Sequence, residues 1–206
     1  MNTPKLIDVT PFGPLIVKVH YDNFDWRELK PICHNLIKNS PSKSVKDTDL
    51  ELGDARSSVY NKTRAHTIKE FNNFYDWLRP IANHICINEW GMSNTFKFDV
   101  SNSWVNVHNK TGITTEHHHS AVTIVAAAYL QLPENGGFIQ FRDPMEYQKG
   151  FSPLHDPDNN VSWKTIEAKT GDVILFPGWL RHRTQPNNSN EERWVLTSNM
   201  IGFNNR

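Results

Sequence analysis

Residues 116–130 read Glu116-His117-His118-His119-Ser120-Ala121-Val122-Thr123-Ile124-Val125-Ala126-Ala127-Ala128-Tyr129-Leu130. A polar, histidine-rich entry runs into an unbroken apolar stretch. From Ala121 to Leu130 that stretch is too short to cross a bilayer, and it reads as a buried strand. It is one of a series: Phe96–His108, Ser120–Leu132, Phe138–Arg142, Trp163–Ala168, Val173–Phe176, His182–Gln185 and Arg193–Phe203 are all β-rich and divided by Gly, Pro, Asn and Asp.

Upstream the texture is helical. Residues 5–20 read as extended, and Asp25 with Glu28 then forms a capping-box signature. Leu29, Ile32, Cys33, Leu36 and Ile37 follow at helical spacing. A second helix fits Ile68, Phe71, Phe74, Leu78, Ile81 and Ile85 up to Gly91, with Pro80 predicting a kink or a break. Residues 40–57 and 143–162 read as long loops, the second a candidate lid. Helices followed by uninterrupted strands predict an α+β, mainly β fold. Its economical closure is a double-stranded β-helix (jelly roll, cupin-like) with N-terminal flanking helices. A chain of 206 residues is expected to be a single domain, 1–95 supplying the N-terminal strand and helices and 96–206 the jelly-roll core.

Composition excludes several classes. Formal net charge is zero, 22 basic against 22 acidic residues, so no nucleic-acid or anionic-membrane partner is expected. No charged and apolar leader opens the sequence, which predicts a cytoplasmic protein. Cys33 and Cys86 lack metal-knuckle or disulfide spacing and read as reduced, buried side chains.

On extended backbone His117 and His119 point to one side and His118 to the other. His182, reached through Gly171-Asp172-Val173-Ile174-Leu175-Phe176-Pro177-Gly178-Trp179-Leu180-Arg181, can close one face of a metal and leave the other open. The segment from His182 to Arg193 reads as a hairpin around Asn187-Asn188, placing Arg193 opposite His182 and in the same cavity. A guanidinium there calls for a carboxylate. A small dicarboxylic acid, one end on the metal and the other on Arg193, meets both demands.

Ser103-Trp104-Val105-Asn106, His117-x-His119, Tyr129-Leu130, Leu132-Pro133-Glu134-Asn135, Gly171-Asp172-x-x-x-Phe176-Pro177, Trp179-x-x-His182-x-x-x-Pro186 and Glu192-Arg193 carry a resemblance. In order and spacing, Ser103–Phe203 resembles the 2-oxoglutarate and Fe(II)-dependent oxygenases, especially uncharacterised bacterial and phage members. The resemblance implies Fe(II) on His117, His119 and His182, and 2-oxoglutarate chelating it with the far carboxylate on Arg193. Tyr129 shares the parity of His119 along its strand and is expected as a further partner of that carboxylate; Asn106 and Trp104 alternate together as expected pocket lining, with plain packing an equal reading for Trp104. The implied reaction hydroxylates a small-molecule or peptide substrate and releases succinate and carbon dioxide.

Two positions depart from the family pattern. His119 stands where most of the family has a carboxylate ligand, which leaves the site one unit more positive. Val195 stands where many relatives have a hydroxyl, and Thr197, on the same face, is the expected substitute. Two alternatives follow: a three-histidine cupin-like dioxygenase or hydrolase without 2-oxoglutarate, and a non-enzymatic jelly-roll binding module using Trp163, Trp179 and Trp194. An exposed sheet edge or the helical layer would support a homodimer.

Overall fold

Asp25 starts the first helix. Its carboxylate accepts the backbone N–H groups of Arg27 (3.0 Å) and Glu28 (3.3 Å), satisfying donors that the first turn leaves open. The computed structural model describes residues 16–40, 50–147 and 162–204. Helix α1 (Trp26–Lys38) buries Leu29, Cys33, Leu36 and Ile37. Helix α2 (Asn72–His84) follows two short 3-10 turns and buries Phe74, Tyr75, Leu78, Ile81 and Ala82. It runs through Pro80 as one piece. The change of pitch comes later, at a π-helical turn over Ile85–Glu89. No helix among the described residues is long and apolar enough to cross a membrane.

The strands are β1 (Val17–His20), β2 (Glu51–Leu52), β3 (Ala55–Ser57), β4 (Phe96–His108), β5 (Ile113–Thr114), β6 (Ile124–Gln131), β7 (Ile139–Arg142), β8 (Trp163–Ile166), β9 (Asp172–Pro177), β10 (His182–Thr184) and β11 (Arg193–Asn204). They form a six-stranded sheet ordered β1-β9-β6-β11-β4-β3, a three-stranded sheet β10-β7-β8, and a β2-β5 pair. Every pairing is antiparallel. This is the expected jelly roll. The earlier part of the stretch 5–20, half of the expected loop 40–57 and most of the candidate lid 143–162 lie outside the described residues; the described end of 40–57 is not loop throughout, since β2 and β3 form there by pairing with β5 and β4.

The apolar run of β6 is explained by its place. It sits between β9 and β11 in the large sheet. Ala126, Ala128 and Leu130 join the core shared with the helices, whereas Val125, Ala127 and Tyr129 join the interior between the sheets. A strand buried on both faces loses the apolar–polar alternation. β11 splits the same way. Trp194, Leu196 and Met200 face the helices, and Arg193, Val195 and Thr197 face inward, opposite His108, Asn106 and Trp104 of β4.

One expectation is corrected. The segment 182–193 is not a hairpin, because β10 pairs with β7 (His182 opposite Phe141) while Arg193 lies opposite His108. The connection crosses from the small sheet to the large one, so the two strands never share a ladder. Arg193 still points inward, through the two-residue period it shares with Val195 and Thr197. The tryptophans do not form one face either. Trp194 is fully buried against the helices, Trp163 stacks under Arg183, and Trp179 is exposed. Burial pushes both cysteine thiols up to about 12, which keeps them protonated.

Candidate metal centre

Backbone hydrogen bonds bring the three histidines together. His117 and His182 exchange N–H and C=O groups at 2.9 Å in both directions, and His119 N–H donates to Gly178 O at 2.8 Å. The loop before β6 is thus stitched to the loop and strand start after β9. His118 points out to solvent, as its parity predicts. The ring nitrogens of His117, His119 and His182 that offer lone pairs lie within 4.8 Å of one another.

The tautomers suit a metal. His117 Nδ1 lies 2.8 Å from Thr115 O, and His182 Nδ1 lies 2.9 Å from Leu180 O. A carbonyl only accepts, so both Nδ1 atoms carry the proton and both Nε2 atoms present lone pairs. His119 Nε2 and His182 Nε2 are 3.4 Å apart, close for two nitrogens unless a cation or a proton sits between them. Burial lowers the pKa of all three; at His119 and His182 the neighbouring histidines add to it, His119 to about 4 and His182 well below the ordinary range, while at His117 the Thr115 carbonyl acts the other way. Neutral, convergent imidazoles, two of them buried and His117 half-buried, are the donor set of a three-histidine metal site.

That electrostatics has a consequence for stability. In the unfolded chain each histidine takes up a proton near pH 6.5, whereas the folded chain resists it. Metal-free protein is therefore expected to hold full stability above about pH 6.5, losing about 1.4 kcal/mol per pH unit for each of His119 and His182 as pH falls toward their folded-state pKa values. Denaturant unfolding of chelated protein at about pH 7.5 and about pH 5.5 measures the loss. Equal stabilities would contradict neutral buried rings.

Gly178 is part of the scaffold. A Cβ there would run into the carbonyl of Val122, while Gly178 O holds the His119 backbone. Gly178→Ala is expected to displace His119 and weaken metal affinity about tenfold or more. Competition with a chromophoric chelator reads the change, with circular dichroism checking the fold.

Inside the jelly roll the histidines open onto a cavity also lined by Trp104, Asn106, His108, Tyr129, Thr184 and Thr197. Trp104 stacks on His119 with ring centroids 5.9 Å apart and planes at 21°. Asn106 Nδ2 donates to Thr197 Oγ1 at 3.3 Å, while its Oδ1 is buried with no hydrogen bond among the described residues. Arg193 is 0 % exposed. Its guanidinium donates to Gly136 O (2.6 Å), Gln185 O (2.9 Å), Thr184 Oγ1 (3.0 Å) and, longer, His108 Nδ1 (3.4 Å). Among the described residues no carboxylate pairs with it. The neighbouring Glu192 instead takes Trp194 Nε1 at 2.9 Å and Lys30 at 3.6 Å. Burial lowers the Arg193 pKa to about 10, with Tyr129 acting the other way.

Of the seven residues expected from the sequence, the three histidines, Asn106, Tyr129 and Thr197 line the cavity; Arg193 does not line it but reaches His108 and Thr184, which do. His108, Thr114 and Thr184 were not anticipated. Their signal was parity, since His108 continues the Trp104–Asn106 face and Thr184 continues the face of His182. Glu116 binds Arg142 (2.9 Å) and Arg181 (2.5 Å) and is not part of the histidine cluster.

Residues 102–199 match a family described as "Putative 2OG-Fe(II) oxygenase". No curated protein matches the chain. Among solved structures the fold is similar to SnoK, a non-heme alpha ketoglutarate dependent carbocyclase from nogalamycin biosynthesis. That match has TM-score 0.60 and 12% identity, covering 92% of this chain and 80% of that one. It is also similar to a Pseudomonas putida prolyl-4-hydroxylase (TM-score 0.58, 11% identity, 90% and 91% covered). A viral collagen prolyl hydroxylase from Paramecium Bursaria Chlorella virus-1, solved as a 2OG complex, gives TM-score 0.54 at 14% identity, with 90% and 94% covered. Residues 102–199 thus match the family model, and the fold of the chain is similar to that of these solved oxygenases.

Proposed function

We propose, from the match of residues 102–199 to the 2OG-Fe(II) oxygenase family model, that this chain is a member of that family and hydroxylates a small molecule or peptide using Fe(II), 2-oxoglutarate and dioxygen. The observation that carries the reading is Arg193: a guanidinium with no exposed surface and no carboxylate partner among the described residues, beside three convergent neutral histidines. An unpaired buried charge is costly. An anion reaching into the cavity would neutralise it.

His117, His119 and His182 would hold the iron, their Nδ1 protons kept by backbone carbonyls at His117 and His182. Bound iron supplies the chemistry that couples oxidative decarboxylation of 2-oxoglutarate, to succinate and carbon dioxide, to oxidation of a C–H bond. The chain's own residues bind and orient. Arg193 attracts the distal carboxylate. Tyr129 Oη already accepts the Ile139 N–H at 3.2 Å, so its proton is free to be donated to that carboxylate. Asn106 and Thr197, bonded to each other, offer polar groups nearer the metal. Trp104 keeps the His119 ring in place by stacking and walls off water.

Three imidazoles without a carboxylate ligand also favour a second reading, a cupin-like metal enzyme without 2-oxoglutarate. Anaerobic titration of metal-free protein with Fe(II), with and without 2-oxoglutarate, separates the two. A metal-to-ligand charge-transfer band that needs both components is expected. Iron binding without any band favours the second reading.

A further inference from the structure

Two of the three convergent imidazoles take their tautomer from the main chain, each from the carbonyl two residues upstream: Thr115 O for His117 and Leu180 O for His182. His119 is held differently. Its Nε2 lies 3.4 Å from His182 Nε2 and so faces the metal position, which turns Nδ1 away from it. Among the described residues no main-chain oxygen takes that Nδ1. A ring with no acceptor behind it can carry its proton on Nε2, where it blocks a metal.

β11 supplies an acceptor from a side chain. Ser198 and Met200 turn toward the helices, Ser198 Oγ lying 3.1 Å from Tyr75 Oη and Met200 joining the core there. Asn199, between them, therefore faces the interior with Val195 and Thr197. Thr197 stands opposite Trp104, whose ring stacks on His119, and Asn199 is the next inward residue along the strand. Main-chain bonds tie the same places together: His119 N–H to Gly178 O, Gly178 N–H to Thr123 O and Thr123 N–H to Met200 O, at 2.8, 3.1 and 3.0 Å. Asn199 Oδ1 is buried with no hydrogen-bond partner among the described residues, a state that costs stability unless a donor reaches it. Burial and His117 lower the His119 pKa, and the Asn199 side chain acts against them, as an acceptor facing a ring N–H does.

We propose that Asn199 is the positioning residue of His119: its Oδ1 accepts the Nδ1 proton, which leaves the Nε2 lone pair for the metal. The inference rests on the three-histidine metal reading above. It also bears on the charge of the site. An amide is a neutral acceptor, so the centre keeps the charge of the ion and three neutral rings. A carboxylate at the same place would draw the Nδ1 proton toward itself, make the ring a stronger donor and favour the higher oxidation state of iron. The residue at position 199 therefore sets, through His119, part of the charge that a carboxylate ligand would otherwise bring.

Metal-free protein carrying isotope-labelled histidine gives the first reading, because nitrogen chemical shifts report which ring atom is protonated. His119 should carry its proton on Nδ1 in the wild type and shift toward Nε2 in Asn199→Leu. Competition with a chromophoric chelator for Zn(II) gives the second. Asn199→Leu should weaken binding about 10- to 100-fold, and Asn199→Asp, which keeps the acceptor and adds charge, should bind at least as tightly as the wild type. The third is the Fe(III)/Fe(II) potential of iron-loaded protein without 2-oxoglutarate. It should rise in the leucine variant and fall in the aspartate variant, opposite signs that a packing role does not produce. Asn102, opposite Asn199 on β4, is the control, and Asn102→Ala should leave affinity and potential unchanged. A wild-type His119 protonated on Nε2, unmoved affinity and potential in both Asn199 variants, or an equal loss in Asn102→Ala overturns the proposal. If Asn199→Leu does not fold, Asn199→Asp carries the test, and an unchanged potential there overturns it. Wild-type protein that binds no metal sinks the three-histidine reading and this one with it. Wild-type binding untouched in the variants sinks this one alone.

Discussion

Replacing His182 with alanine is expected to take bound iron from about one ion per chain to none measurable. His182 is the member of the cluster that comes from a distant strand, its ring centroid 4.2 Å from that of His117 and 5.2 Å from that of His119. Two histidines on one loop remain, and they can neither enclose a cation nor close a face of its coordination sphere. The same substitution is expected to spare the metal-free fold, because it removes a buried ring that resists protonation. Wild-type protein at an iron concentration about a hundredfold above its dissociation constant should gain about 2.7 kcal/mol of stability; the variant should gain none. Elemental analysis and melting curves with and without Fe(II) measure both effects. His118→Ala, altering an exposed neighbour, should bind iron like the wild type. Stoichiometric iron in His182→Ala would refute the three-histidine site.

Replacing Arg193 with methionine is expected to abolish detectable 2-oxoglutarate binding while iron binding persists. Methionine keeps the length and flexibility of the side chain but removes every donor. A dicarboxylate would then have to bury its distal charge among oxygens, Gly136 O and Gln185 O included. Losing one partner of a buried hydrogen-bonded charge pair costs about 2–5 kcal/mol, which lowers affinity by roughly two orders of magnitude or more. Arg193→Lys keeps a charge but cannot reproduce a fork that touches two carbonyls, Thr184 and His108 together, so an intermediate loss is expected. Unchanged 2-oxoglutarate affinity in the methionine variant would remove the anchor and favour a metal enzyme of another kind. Iron content separates this outcome from the first experiment, since Arg193 contacts none of the three histidines through a hydrogen bond.

Much of the site was readable because strands impose a period of two. That period separated His118 from its neighbours, put Asn106 on a face with Trp104, and put Thr197 on one with Arg193. It also held the information for His108 and Thr184. They passed unnoticed because a period says which face a side chain takes and nothing about what stands opposite. The hairpin between His182 and Arg193 failed for a related reason. A tight turn and two extended segments look alike whether the strands pair or part into different sheets. Pro80 marked a local weakness in α2, yet the helix carries through it and changes pitch at Ile85.

Local chemistry in the sequence determined the helix start at Asp25, the alternation along β4 and β11, the burial of β6 and the residue types able to hold a metal. Those properties depend on neighbours a few positions apart, through backbone geometry and the exclusion of apolar surface from water. Only the tertiary structure decided which distant groups meet: the exchange of hydrogen bonds between His117 and His182, the support of His119 by Gly178, and the placing of Arg193 against Thr184 and His108 with no acid to neutralise it. Charge, tautomer and donor direction at the site follow from those meetings, because an ionisable or hydroxyl group takes its state from whatever shares its low-dielectric surroundings.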